Sequence, residues 1–238
     1  MRPRLPSLAR SARALLVLGL PLFVACGPAV DPAAKADLDR RLAEIATNEE
    51  TFPPSESYLP MALVVGQWTE HRLTDDKGRA SLLTNKLVGQ ENGAFWLETV
   101  RHSAEGRVAT KMLVAMLSGR DPDGMEIRAL LVKKGDAPPT QVDPGLIPQV
   151  RGQYRAVLDL LAMSVESEEK DDLRVPAGHF IGCYVVKTKI AWGPWQTMSD
   201  VCSHPSVPLS GVVRAKPIGQ SSLLELVGFG SSGATSEF

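Results

Sequence analysis

From Met61 onward the chain alternates apolar and polar residues in long runs, cut by clusters of turn-forming residues. Residues 62–73 and 79–89 are divided by Asp75-Asp76-Lys77-Gly78, and 94–102 follows Glu91-Asn92-Gly93. Residues 107–117 follow Ser103-Ala104-Glu105-Gly106, and 125–134 follow Asp121-Pro122-Asp123-Gly124. Period-two runs between such clusters predict strands, and Asn-Gly is a strong hairpin signal because both residues tolerate positive φ. A second group is expected at 172–177, 180–190, 196–203, 210–216 and 221–229. The strands follow one another with short turns, which predicts an antiparallel meander and excludes a set of βαβ units.

One run breaks the alternation. Lys111-Met112-Leu113-Val114-Ala115-Met116-Leu117 is apolar on both faces, whereas an antiparallel strand with one wet face alternates. A helix or a bound apolar ligand must therefore cover the second face. The candidate helix is 147–163, with Val150, Tyr154, Val157, Leu158 and Leu161 on one stripe. An earlier helix is expected after Asp31, which can cap it, with Pro32 at its first position and Leu38, Leu42 and Ile45 on one side. Pro53 and Pro54 end that region, so 26–60 reads as a tether holding a β-rich domain, 61–230, away from a surface. The small polar residues 231–238 read as a disordered tail.

This order of elements predicts an α+β, mainly antiparallel β fold. It resembles the curved open half-barrel of the lipoprotein carriers of the Lol system and their mycobacterial relatives, which implies a helix lying in the concavity. A closed lipocalin-like barrel is the alternative. Val175-Pro176-Ala177-Gly178-His179-Phe180, Val207-Pro208-Leu209-Ser210-Gly211-Val212-Val213 and Leu224-Glu225-Leu226-Val227-Gly228-Phe229 are similar to a signature of uncharacterised bacterial lipoproteins. That resemblance carries no activity.

The N-terminus supplies an address. Arg2, Arg4, Arg10 and Arg13 precede the apolar run Ala14–Ala25, which ends Leu22-Phe23-Val24-Ala25-Cys26-Gly27. The run is too short to cross a bilayer, because twelve helical residues reach about 18 Å against a core of roughly 30 Å. The order of charge, apolar segment and small residue reads as a secretory signal, 1–25. With Cys26 it resembles a bacterial lipoprotein signal, although Phe23 stands where that family usually has leucine. The resemblance implies acylation of Cys26, which anchors stably when more than one chain is attached. Gly27 in place of aspartate implies the outer membrane, with the membrane itself as the first partner.

Charge narrows the partners. The chain has 26 basic and 27 acidic residues; the four signal arginines removed, 22 basic remain, without a clustered basic block. Nucleic acid, which needs such a cluster, is not expected. The acidic run 166–172 reads as a solvated loop. Cys183 and Cys202 remain as a pair in a compartment that permits disulfides, flanking Trp192-Gly193-Pro194-Trp195. A hairpin about Gly193-Pro194 would place them nearly opposite, either as a disulfide or as two buried thiols. The two tryptophans would either fold back over the sheet or project from the tip toward a membrane or partner.

Reaction chemistry is sparse. Asp200, Cys202 and His204 alternate onto one strand face, yet residues two apart on a strand stand about 6.6 Å apart, too far for a nucleophile–base contact. His71, His102 and His179 are single, and no zinc spacing, G-x-S-x-G or P-loop occurs, so no metal, cofactor or catalytic set is expected. Glu70 and Glu98 read as solvent-facing strand residues. The expectation is a non-enzymatic envelope lipoprotein that binds lipid, a lipoprotein acyl chain or another apolar ligand on its curved sheet. Trp68, Trp96, Met112, Val114, Met116, Tyr154 and Leu158 are the candidate ligand contacts. The alternative is a structural or assembly lipoprotein with a filled core and an envelope protein partner.

Overall fold

The computed structural model describes residues 29–117, 122–149, 151, 158, 169–192 and 195–238. Helix α1 (Pro32–Ala43) begins as its sequence requires: Asp31 accepts from the N–H groups of Ala33 and Ala34, and proline takes the first turn. Eleven of the twelve strands follow one path through a single sheet. They are β1 (Thr51–Phe52), β2 (Trp68–Thr74), β3 (Ala80–Glu91), β4 (Ala94–Ser103), β5 (Gly106–Met116), β6 (Met125–Lys134), β7 (Thr140–Gln141), β9 (Gly178–Trp192), β10 (Trp195–Ser203), β11 (Val212–Pro217) and β12 (Leu223–Gly230). Strand β8 (Lys170–Val175) pairs with β9 off that path. Every pairing is antiparallel except β1 with β9.

Strand β9 organises one side of the sheet. His179 and Phe180 each pair with both β1 and β8, and Tyr184 pairs with both β8 and β10. Strands β1 and β10 therefore lie end to end along one edge of β9, and β8 lies along the other. Beyond β10 the order runs β11, β12, β2, β3, β4, β5, β6, β7. Edges β7 and β8 are not paired with each other among the described residues, so the sheet is open. It nevertheless curls, since Ala177 after β8 donates to the carbonyl of Leu226 on β12. Phe52, Phe180 and Phe229 meet there, with Phe52 stacked on Phe180 at 4.6 Å, and Leu173, Val175, Val213 and Leu226 complete that core.

The hairpin signals hold where they were clearest. Asn92 and Gly93 both take positive φ, 48° and 76°, and Glu91 faces Ala94 across the turn. Strands β4, β5 and β6 fall within a residue of the sequence expectation. Residues 62–67, expected as strand, form a loop instead. The buried Gln67 side chain donates to the Ala62 carbonyl and accepts from the Val64 N–H, so local polar bonds outbid ladder pairing. Asp171 and Asp172, expected in a solvated loop, belong to β8, where Asp172 accepts from the Gly182 N–H.

Both ends of the described chain belong to the domain, against expectation. Asp31 donates to the Ala104 carbonyl, Leu38 is buried, and α1 packs on β4 and β5. Residues 48–58 then run along β9: Asn48 donates to Pro176, and His179 donates to Glu50. The sequence-level tether is thus integral from Asp31 onward. Residues 231–238 are not disordered either: they lie on β3, β4, β5 and β6, held by bonds described below. Of the expected helix 147–163, only 147–149, 151 and 158 fall within the described residues. The signal 1–25 and Cys26 fall outside them.

Two glycines of the signature-like segments show why residues 48–58 fit so closely. Gly178 has φ +142°, and a Cβ there would stand 2.7 Å from the ring of Phe52. Gly211 has φ +74°, and a Cβ there would meet the Tyr58 hydroxyl at 1.9 Å. Both the left-handed backbone and the space forbid a side chain. We predict that Gly211→Ala destabilises the fold by about 3 kcal/mol or more. Equilibrium urea unfolding measures this, and a loss under 1 kcal/mol would mean that Tyr58 moves aside freely.

Candidate functional site

Strands β2–β6 have two faces, and the pairing registers assign residues to each. Leu87, Leu97, Met112 and Leu130 share one face, while Lys86, Glu98, Lys111 and Leu131 share the other. On the first, the core is closed by Ile147, Leu158 and Leu209, with Leu63 against it; Met112, Leu130 and Leu158 are fully buried. Leu209 reaches this core from the loop after β10 at a positive φ of 62°.

The candidate ligand residues are divided by this arrangement. Met112, Val114, Met116 and Leu158 come together in the first core. Trp96 lies on the opposite face with Ala94, Leu113, Ala115 and Ala129, and its Nε1 donates to Glu91. Trp68 is also on that opposite face, its ring against Gly228 and Gly230. One platform containing all of them is therefore excluded, because alternation sends residues one apart in register to different sides. Tyr154 lies outside the described residues.

An open cleft of about 640 Å³ borders the first core where β5 ends and β6 begins. Met125, Ile127, Ile147, Pro144 and Pro148 line it, with Arg128 and Arg151 among its polar walls. Leu117 stands at this cleft with two-thirds of its surface exposed (67%). A second open hollow of about 580 Å³, at the β11–β12 turn, is lined mainly by polar residues, including Arg214, Lys216, Gln220 and Glu225.

The Asp200–Cys202–His204 set is not a nucleophile and its base. Cys202 is disulfide-bonded to Cys183, with Cα atoms 5.7 Å apart. Its partner in register is Val185, so the bond crosses β9 and β10 diagonally instead of directly. Closing a loop of 19 residues contributes about 3 kcal/mol by the chain-entropy argument. His204 Nε2 donates to the Pro53 carbonyl at 3.1 Å, while Nδ1 accepts from the Ser206 N–H at 3.2 Å. Burial holds this imidazole below its ordinary pKa. Its work is to tie the loop after β10 to the residues leading from β1. Backbone pairing places Trp192 opposite Trp195, and the course of their side chains lies outside the described residues.

Sequence reasoning missed the polar centre of the opposite face. Glu98, expected to face solvent, has 0% exposure. It accepts from Ser236 Oγ at 2.8 Å and from the Glu237 N–H at 3.0 Å, with Lys86 Nζ at 3.8 Å. Lys86 also binds the Glu237 carboxylate at 2.8 Å, and Arg107 contacts the same group. Burial pushes the Glu237 carboxyl upward, but the hydrogen bond and charge of Lys86 and the charge of Arg107 outweigh it and hold it below the glutamate range. The available signal was the cross-strand row Lys86–Glu98–Lys111, which concentrates charge at mid-sheet.

No metal-binding group of three or more His, Cys, Asp or Glu occurs among the described residues. No known protein family matches the chain, and no curated protein or solved structure is significantly similar to it.

His71 is a buried titratable group whose protonation bears on stability. Nε2 donates to the Val212 carbonyl at 3.0 Å, and Nδ1 is buried without a partner. Burial lowers its pKa from 6.5 to about 4, against the raising effect of that hydrogen bond. His102, lowered to about 4 by burial and by Arg41 and Arg107, acts in the same direction. The unfolded chain then takes up protons first as pH falls, so stability is complete above about 6.5 and declines toward 4. We predict that His71 alone costs about 2 kcal/mol between pH 7 and 5. Urea unfolding of wild type and His71→Gln at both values checks this; equal losses would show that His71 does not carry the effect.

Proposed function

We propose that the protein is a lipid-anchored envelope lipoprotein, non-enzymatic, that holds an apolar or amphipathic ligand in the cleft beside β5 and β6. The observation that carries this reading is the cleft itself, within the ordinary size range of ligand pockets, with an apolar floor continuous with the core and walls carrying Asp123 and Glu126 as well as Arg128 and Arg151. That combination, with charges of both signs on its walls, suits an acyl chain with a polar or zwitterionic head. Only the cleft is claimed for the ligand, because Leu158 and Ile147 already occupy the sheet face above Met112. The same filled face favours the second reading, an assembly lipoprotein whose partner is another envelope protein.

Acylation at Cys26 would also set the orientation. Asp31 is bonded to Ala104, and five residues span at most about 17 Å. The β4–β5 turn would therefore ride close to the headgroups, with little tether between. An outer-membrane address rests on the resemblance of the signal and on Gly27.

Two experiments separate these claims. We expect radiolabelled palmitate to enter the wild-type chain in a bacterial host and to be absent from Cys26→Ser; label in the variant would refute the assignment. We expect the Cys26→Ser protein, stripped of lipid, to take up a fluorescent fatty acid. Leu117→Arg, a change at an exposed position, is expected to weaken uptake about tenfold. No uptake by a folded protein would discard the ligand and leave the protein-partner reading.

A further inference from the structure

We propose that the strip formed by Lys86, Glu98, Arg107, Lys111 and Lys133 is a binding groove for an extended acidic peptide, occupied in cis by residues 234–238. The contacts are those of a recognised peptide. Ser236 and the Glu237 N–H bind the two oxygens of Glu98. The Glu237 carboxylate binds Lys86 and Arg107. Lys111 Nζ lies 5.6 Å from the centre of the Phe238 ring and 5.4 Å from that of Trp96, a cation between two aromatic faces. Lys86 and Lys133 also reach backbone carbonyls, those of Thr235 and Glu237. Main-chain contacts of this kind hold any extended segment, while the Glu98, Lys86 and Lys111 contacts select Ser-Glu-aromatic.

Two further observations distinguish a binding groove from a fixed structural seam. The resident segment under-fills it: Lys86 and Arg107 share its one Glu237 carboxylate, while Lys111 and Lys133 meet neutral oxygens, the Ser236 hydroxyl and the Glu237 carbonyl. Arg107 Nε is buried without a hydrogen-bond partner. A ligand with more acid or better reach would gain what the resident leaves unmade. The seat is also polar: apart from Phe238, the described contacts of 234–238 are hydrogen bonds and ion pairs. Water replaces such contacts when the segment lifts, so each contributes a modest net free energy even though Glu98 lies buried beneath it. The approach is guided by close backbone fits, with Ala234 donating to Gly66 and the Trp68 indole occupying the space a Cβ at Gly230 would take.

A segment tethered by a few flexible residues competes at an effective concentration of order millimolar. An external peptide should therefore bind weakly to the wild-type chain and well once the resident is released. We expect a fluorescein-labelled Gly-Ala-Thr-Ser-Glu-Phe peptide to bind the full-length Glu237→Lys protein at least tenfold more tightly than wild type. The same peptide carrying Gln for Glu should lose that gain, and Lys86→Glu added to Glu237→Lys should abolish it. A Glu237→Lys protein with the wild-type melting temperature that binds no better than wild type would overturn the proposal. Equal binding of the Glu and Gln peptides would overturn it too. Should Glu237→Lys fail to fold, a protease site inserted between Ser231 and Ser232 allows cutting after folding. Exchange of the cut segment for labelled peptide supports the groove, and a cut segment that never exchanges shows a structural seam.

Discussion

Strand β5 is apolar on both faces, and an open sheet that contains such a strand has to cover it twice. Met112, Val114 and Met116 point into one core and Leu113 and Ala115 into another. Closing the sheet into a barrel would have enclosed only one of these sets. The chain instead recruits segments from outside the sheet. Ile147, Leu158 and the loop bearing Leu209 cover one side, while on the other Trp96 and Ala129 pack with Leu113 and Ala115, and residues 234–238 lie along the polar strip from Lys86 to Lys133. Burial of fully enclosed side chains of this size contributes about 1.5–3 kcal/mol each, so these coverings are part of the fold's stability.

The other constraint is the shared strand β9. Its early residues pair with β1 and β8 and its later ones with β10, so the polypeptide must curl there to bring Ala177 against Leu226. Cys183–Cys202 and His204–Pro53 fasten that region from two directions. The residue set that looked most like chemistry, Asp200, Cys202 and His204, is explained by this fastening. A cysteine at the end of a strand and a histidine in the loop just after it are placed well for tying neighbouring segments and poorly for attacking a substrate.

Strand positions were legible because period two and turn chemistry are local. Asn92-Gly93 and the Asp-rich loops mark their turns wherever the strands eventually pair. The expectation of a cover over Met112 was legible for the same reason, since a two-sided apolar run contradicts a wet face. What could not be read was which distant segment supplies the cover. Leu38 and Phe52 look like weak stripes on a tether until β4 and β9 are present to receive them. Residues 231–238, small and polar, carry no apolar signal at all, because their attachment is electrostatic and depends on Lys86, Glu98 and Arg107 being brought into line by three strands. Glu98 was misread on the same ground: alternation says which side a residue faces, and not whether that side is wet.

The two covers differ in kind, and the difference bears on where the molecule can open. On one side, Leu158 and Ile147 are buried among aliphatic side chains, and lifting them would expose apolar surface in proportion to its area. On the other, lifting the segment around Glu237 exchanges ion pairs and hydrogen bonds for hydrated ones, at a modest net cost for each bond and not in proportion to an apolar area. Salt weakens the partly exposed Glu237 pairs, acts less on the buried Glu98 and barely touches the first side. Local opening in a folded domain proceeds from its least stable element. Opening at 234–238 would uncover Glu98 and its surrounding cations while leaving the aliphatic core and the Cys183–Cys202 bond intact. Any ligand of the cleft beside β6 and any ligand of the charged strip thus meet different faces of one rigid sheet, and binding at one need not disturb the other.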